Sequence, residues 1–182
     1  MELTKENVAL LAACGVLVGT VISNVMTYII HNSKQKNEWI NDNKKKKIEK
    51  AEELYKNLVI WKKSIFRTHN DWVLLVRGHQ SLAKTLDNAI EQNIKNPEFG
   101  KISELSSILA GIYFPDVASQ IKEAQKELKP GNEIYFGISR GHMPEGKEKA
   151  VHIILDSGRA FDKSVDEILE GLSCKIHEMM GK

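Results

Sequence analysis

The sequence predicts an all-α protein in which an N-terminal transmembrane helix precedes an elongated cytoplasmic helical bundle. Three observations lead to this prediction. Residues 8–30 contain 23 consecutive residues without a charged side chain. From Ile48 onward, apolar residues recur at spacings of three and four, the period of one helix face. No stretch predicts a strand pair, and no β–α–β alternation or internal repeat is visible.

The uncharged stretch is long enough to cross a bilayer. About 20 apolar residues, at a rise of about 1.5 Å each, span a hydrocarbon core of roughly 30 Å. A cleaved signal peptide is one alternative, but it needs a basic start and a shorter apolar core. Residues 1–7 hold one Lys against two Glu. A soluble helix buried on all sides is the other alternative, and few domains of this size enclose such a segment.

Lysines beside the uncharged stretch predict its orientation. The N-terminal side offers Lys5 alone, whereas the C-terminal side carries six lysines: Lys34, Lys36, Lys44, Lys45, Lys46 and Lys47. Basic flanks stay in the cytoplasm. We therefore expect an inner-membrane, single-pass protein with an extracytoplasmic tail at 1–7, a transmembrane helix at 8–30, a basic juxtamembrane linker at 31–47 and a helical cytoplasmic domain at 48–182.

The same six lysines are predicted to contact lipid headgroups. Anionic headgroups attract such side chains by about 1 kcal/mol each near the surface. The simpler alternative is that they only set the topology and form a solvated linker. Nucleic-acid binding is not expected, because the residues after 50 show no basic face or known module.

Four small residues recur every fourth position within the uncharged stretch: Gly15, Gly19, Ser23 and Thr27. Small residues at this spacing let two helix backbones approach closely, so this face is a candidate helix–helix interface in a homo-oligomer. Small residues are also common in membrane helices that do not associate.

Glycine and proline divide the remaining chain into helices. A first long helix is predicted over 48–77, ending at Gly78, and a last long helix over 147–180. Three shorter helices are predicted between them, with breaks at Asn96-Pro97, at Pro115 and at 129–131. Residues 129–147 hold two of the four Pro and four of the 12 Gly, so a loop is expected there, with 134–138 as a short strand or a packed plug.

The predicted loop contains the sharpest chemical motif, the G-x-S-x-G of residues 137–141. In α/β-hydrolases this turn exposes a nucleophilic Ser between a strand and a helix, and that context is missing here. An enzyme using Ser139, Arg140 and His142 therefore remains a second alternative. His69 and His79 are expected at the flank of the bundle. The histidines lack metal-ligand spacing, so we expect no metal and no cofactor.

Tyr113 and Phe114 precede Pro115 at a helix junction. Such aromatics usually lock one helix against the next, and an exposed patch for a partner is the alternative. An N-terminal membrane helix, the Glu53-Leu54-Tyr55 start and the Tyr-Phe-Pro stop together resemble a loose group of uncharacterised bacterial single-span helical proteins. The resemblance covers about residues 50–130 and implies a helical fold and a bacterial origin, without a functional residue.

These observations predict a membrane-anchored, cytoplasm-facing interaction protein, acting as adaptor, sensor or accessory subunit through an unknown protein partner. The first alternative is a membrane-acting effector of the stress or phage-defence type, which oligomerises through its transmembrane helix. An interaction protein should expose an apolar surface, whereas an enzyme should bring Ser139 and His142 to a common pocket.

Overall fold

The computed structural model describes residues 5–142, 144 and 146–181, and it describes side chains from residue 23 onward within those ranges. Six helices and no strand occur in this part of the chain, so the prediction of an all-α fold is confirmed. The helices are α1 (Lys5–Arg77), α2 (Leu82–Lys95), α3 (Ile102–Tyr113), α4 (Pro115–Glu127), α5 (Lys129–Ser139) and α6 (Lys147–Met180).

Most predicted helix ends are confirmed, because they depend on local chemistry. Gly78 ends α1 in a left-handed conformation with φ of 79°. The Ser81 side chain caps α2 by accepting a hydrogen bond from the backbone N–H of Lys84 at 3.2 Å. Pro115 occupies the first turn of α4, where no backbone N–H is needed.

The loop predicted at 129–147 is wrong over most of its length, because α5 occupies 129–139 and no strand forms at 134–138. Pro130 lies in the first turn of α5, where a proline removes no helical hydrogen bond. Gly131 is buried, and a Cβ there would lie 2.5 Å from Oγ of Ser157 on α6. This glycine therefore serves close helix packing, while Gly141 and Gly146, which lie between α5 and α6, have positive φ.

The chain divides into two compact units, residues 1–46 and 47–182. The backbone of α1 is helical from Lys5, so the first long helix begins well before the predicted position near 48. Residues 31–47 contain no Pro or Gly to interrupt a helix. Within the described residues, no helix has a segment long and apolar enough to cross a membrane. The side chains of residues 8–22, most of the predicted span, lie outside the description.

Residues 47–182 enclose two clusters of buried apolar side chains. The larger cluster joins α1, α3, α4 and α6, and its centre includes Leu58, Trp61 and Phe161. The rings of Trp61 and Phe161 meet edge to face, with centroids 4.8 Å apart. The smaller cluster joins the end of α1 to α5 and α6 around Trp72 and Ile154. The predicted apolar face of α6 is confirmed, and α6 and α1 both contribute to the two clusters.

Candidate interaction surface

Helix α2 is attached to α1 through polar side chains. Thr85 is only 3% exposed. Its Oγ1 accepts a hydrogen bond of 2.8 Å from the side-chain amide of Gln80, which also donates to the backbone carbonyl of Asp71 at 2.9 Å. The amide of Asn88 donates to the Asp71 carboxylate at 3.3 Å. The inward side of α2 is therefore satisfied by hydrogen bonds, as a buried polar side must be.

The opposite side of α2 carries its large aliphatic residues, and that side is exposed. Leu86 is 45% exposed, Ile90 57% and Ile94 74%. A spacing of four places these three side chains in one stripe along the helix. An amphipathic helix normally buries its apolar stripe against the core. In α2 the side that faces the protein carries Thr85, Asn88 and a single large apolar residue, Leu82, while the apolar stripe faces outward.

Helix α3 also exposes most of its large aliphatic side chains. It buries Ile102 together with two small residues, Ser106 and Ala110. Three larger aliphatic side chains on α3 are exposed: Leu105, Ile108 and Ile112. We call the two stripes the aliphatic faces of α2 and α3, meaning Leu86, Ile90 and Ile94 on α2 and Leu105, Ile108 and Ile112 on α3.

The charged residues of α2 and α3 leave little net charge near the aliphatic faces. On α2, Lys84 and Lys95 are matched by Asp87 and Glu91. Nζ of Lys95 lies 2.6 Å from Oε1 of Glu91, and this hydrogen bond holds the pKa of the Glu91 carboxyl below its usual value. Helix α3 carries one charged side chain, Glu104. Glu104 is therefore the one charge that α2 and α3 do not balance between them, and the aliphatic side chains are the main feature that a partner would recognise.

The structure gives a partial view of the predicted transmembrane interface. Gly15 and Gly19 lie within the backbone of α1, and their surroundings are outside the described residues. Ser23 and Thr27 are exposed. The hydroxyl of Thr27 donates to the backbone carbonyl of Ser23 at 2.8 Å, one helical turn back. Association through this face stays a prediction.

The six lysines predicted to meet lipid headgroups are all exposed on α1. Within the unit 47–182, Nζ of Lys47 lies 5.9 Å from the centroid of the Phe114 ring, a cation–π distance. The Phe114 ring itself is buried in the larger cluster, and Tyr113 is partly buried against it. These two aromatics therefore pack at the α3–α4 junction, and the exposed aliphatic residues lie elsewhere.

Ser139, Arg140 and His142 do not converge on a pocket. The hydroxyl of Ser139 donates to the carbonyl of Phe136 at 2.9 Å, as a helical side chain often does. The backbone N–H of His142 donates to the carbonyl of Gly137 at 2.9 Å, which closes the end of α5. The main clefts in the described part of the chain are lined by other residues.

No group of three or more His, Cys, Asp or Glu side chains within the described residues is arranged to hold a metal ion. Elsewhere, Nζ of Lys62 on α1 lies 3.2 Å from Asp162 and 2.7 Å from Asp166 on α6. Burial lowers the pKa of Lys62, but hydrogen bonds to both aspartates outweigh it and raise the pKa overall. This half-exposed triad joins two long helices.

The sequence predicted helices at α2 and α3 but not their aliphatic faces. The spacing of Leu105, Ile108 and Ile112 by three and four residues indicates an apolar stripe on α3. Periodicity identifies such a stripe but does not say which side packs inward. The sequence feature that could have indicated the orientation of α2 is its polar side. Thr85 and Asn88 have short side chains suited to hydrogen bonding at close range.

Comparison of the chain with protein-family models, with curated proteins and with solved structures gave no significant match.

Proposed function

We propose that this protein is a membrane-anchored, cytoplasm-facing interaction protein whose aliphatic faces on α2 and α3 bind an apolar helix of a partner protein. The observation that carries the proposal is the orientation of α2, which buries Thr85 and exposes Leu86, Ile90 and Ile94. Exposed aliphatic stripes of this kind mark interaction sites on soluble domains.

The free energy gained by burying these faces fits a reversible contact with a partner. Full burial of a Leu or Ile side chain contributes about 1.5–3 kcal/mol. The six side chains of the aliphatic faces are already about half buried, so each can contribute roughly half of this free energy. The sum must exceed the cost of association, which is about 4 kcal/mol or more. A moderate, reversible affinity follows.

A protein partner is favoured over direct contact of these faces with lipid. Helices that lie in a membrane surface carry Lys and Arg along the polar side, where anionic headgroups attract them. On α2 the two lysines are balanced by Asp87 and Glu91, and Lys95 is paired with Glu91. A partner helix with an apolar stripe needs no net charge from this surface.

The anchor in this proposal is the uncharged stretch at 8–30, with its C-terminal side in the cytoplasm. Its support is the length of the stretch and the six-to-one distribution of lysines around it. Oligomerisation through Gly15 and Gly19 belongs to the alternative effector function, which predicts that Gly15→Leu or Gly19→Leu abolishes toxicity on overexpression.

Site-specific photo-crosslinking in the cells of origin tests the binding surface. A benzophenone amino acid replaces Ile90 or Ile108 in the full-length chain, and Ser119, an exposed residue of α4, serves as the matched control. We expect the same foreign protein, identified by mass spectrometry, in adducts from positions 90 and 108 and not from 119. Adducts with a second copy of this chain alone, or with lipid alone, would overturn the assignment of a protein partner.

A further inference from the structure

The aliphatic face of α3 forms one wall of a groove against α1. The groove has a volume of ≈ 320 Å³, and α3 lines it with four aliphatic side chains: Ile102, Leu105, Ile108 and Leu109. Leu105 and Ile108 belong to the surface proposed to bind a partner helix, so a helix seated on that surface also reaches the groove. The groove is thus part of the same binding site, and its specificity rests on the proposed function.

The polar side chains that line the groove are two carboxylates and one amide. Glu53 and Asn57 lie one turn apart on α1, and Glu98 comes from the segment between α2 and α3. Within the described part of the chain, no Lys or Arg is among the lining residues. Glu104 adds a further negative charge on α3, one turn before Ile108. The groove therefore combines an apolar wall with negative charge.

Both glutamates of the groove can accept a cation from a partner. Glu98 is exposed, and it forms no ion pair with another described residue. Nζ of Lys50 lies 2.6 Å from Oε2 of Glu53, but an exposed pair of this kind contributes little, so a second cation can share or replace it. Lys101 is the basic residue closest to Glu98 in the sequence after α2, and it does not line the groove. A basic side chain of a partner therefore has two carboxylates available to it.

We propose that the α1–α3 groove selects a partner helix whose apolar stripe is flanked by Lys or Arg. Apolar side chains of that helix pack on Leu105 and Ile108, while a basic side chain beside them reaches Glu53 or Glu98. Long basic side chains suit this arrangement, because their aliphatic stems pack on apolar surface while their charge stays with the carboxylates. A helix flanked by Asp or Glu meets like charge in the groove, as an anionic lipid headgroup does, so both are disfavoured.

The test measures how synthetic helical peptides bind to the full-length chain in nanodiscs of zwitterionic lipid. Two fluorescent peptides share one leucine stripe and differ only at the flanking positions, which carry Lys in one peptide and Glu in the other. Fluorescence anisotropy gives the two affinities, and empty nanodiscs give the background. We expect the Lys peptide to bind about tenfold more tightly at low salt, with a preference that declines as salt rises, because exposed charges are screened.

Substitutions at exposed residues separate the charge of the groove from its apolar wall. The double variant Glu53→Gln/Glu98→Gln should remove most of the preference for the Lys peptide. The same change at Glu170, an exposed residue of α6 outside the groove, should leave the preference intact. Leu105→Gln should weaken the binding of both peptides about fivefold, because each peptide packs its leucine stripe on that side chain.

The results distinguish the charge preference from the proposed function itself. Equal binding of the two peptides, weakened by Leu105→Gln, would overturn the preference and leave the apolar binding surface in place. A preference that survives Glu53→Gln/Glu98→Gln, or binding that Leu105→Gln leaves unchanged, would show that the Lys peptide binds elsewhere and would overturn it too. So would the absence of saturable binding of the Lys peptide, whereas photo-crosslinks from positions 90 and 108 decide independently whether a protein partner exists.

Discussion

Gly131 and Gly158 set the distance at which two helices pass the ring of His69. A Cβ on Gly158 would lie 2.7 Å from Nδ1 of His69, and one on Gly131 would lie 2.5 Å from Oγ of Ser157, so either would force a helix or the contacted side chain to move. These glycines are required for packing and not for backbone flexibility, since neither has a positive φ. The same packing removes water from the imidazole. Burial lowers the pKa of His69 to about 4, and the backbone of Ile154 offsets only part of that effect.

Lowering the pH from about 6.5 to about 4 should therefore destabilise the protein. In this range His69 binds a proton in the unfolded chain but not in the folded one. The unfolded side chain titrates near 6.5 and the folded one near 4. Its contribution is complete above about pH 6.5 and is lost progressively down to pH 4, by about 3 kcal/mol at most. Urea unfolding at pH 7, 5.5 and 4.5 measures this loss. His69→Phe should show a flatter dependence, and identical slopes for both proteins would contradict the assignment.

Gly158→Ala should destabilise the protein by about 1–3 kcal/mol, because the added methyl group overlaps Nδ1 of His69 in a packed interior. Gly171 provides a matched control on the same helix, since a Cβ there meets nothing within 4 Å. Gly171→Ala should stabilise the protein by about 0.5–1 kcal/mol through helix propensity. Thermal unfolding of the two variants distinguishes them, and equal effects would be inconsistent with the close approach at Gly158.

At the scale of the helix, α2 is unusual because its two sides are reversed with respect to the core. Polar contacts from Asp71, Gln80 and Asn88 fix the helix, and among its own residues only Thr85 is fully buried. Most of the usual hydrophobic contribution to docking a helix is therefore absent from α2. The side with Thr85 attaches α2 to the protein, and the opposite side carries the residues proposed to bind a partner. Mutations can therefore change stability and partner binding separately.

Two substitutions in α2 should show this separation. Ile94→Gln alters a side chain that is 74% exposed, so the free energy of unfolding should change by less than about 0.5 kcal/mol, while partner crosslinking from position 90 should decrease. Thr85→Val removes the acceptor for Gln80 and should cost about 1–3 kcal/mol. Hydrogen exchange of the α2 amides reports the loss. A destabilised Ile94→Gln variant would show that the stripe packs inward.

The features of the helices that could be predicted from the sequence are those that depend on residues close together in the chain. Gly78, Pro115 and the stripe of α6 act within a few residues, so the helix ends and the face of α6 were predictable. Residues 129–139 were not, since Gly131 is required by contact with Ser157 on a distant helix. The burial of His69, expected at the flank of the bundle, and the outward stripes of α2 and α3 likewise depend on which elements meet, information that periodicity does not contain.

At the scale of the whole molecule, the proposed topology places residues 47–182 on one side of a membrane. Cys174 on α6 is exposed, which makes it a native reporter of that side. In a Cys14→Ser background, a membrane-impermeant maleimide added to intact cells should leave Cys174 unlabelled, and permeabilisation should allow labelling. Labelling of intact cells would reverse the predicted orientation, and recovery of the protein in the soluble fraction would contradict the anchor itself.

The reversed orientation of α2 also has a consequence for temperature. Hydrophobic association weakens on cooling, because the transfer of apolar surface out of water is driven by entropy near room temperature. Hydrogen bonds such as those from Gln80 and Asn88 do not share this dependence. Cooling should therefore loosen an apolar partner from Leu86, Ile90 and Ile94 while α2 itself remains attached to α1, so that the complex dissociates in the cold before the protein loses any of its own structure.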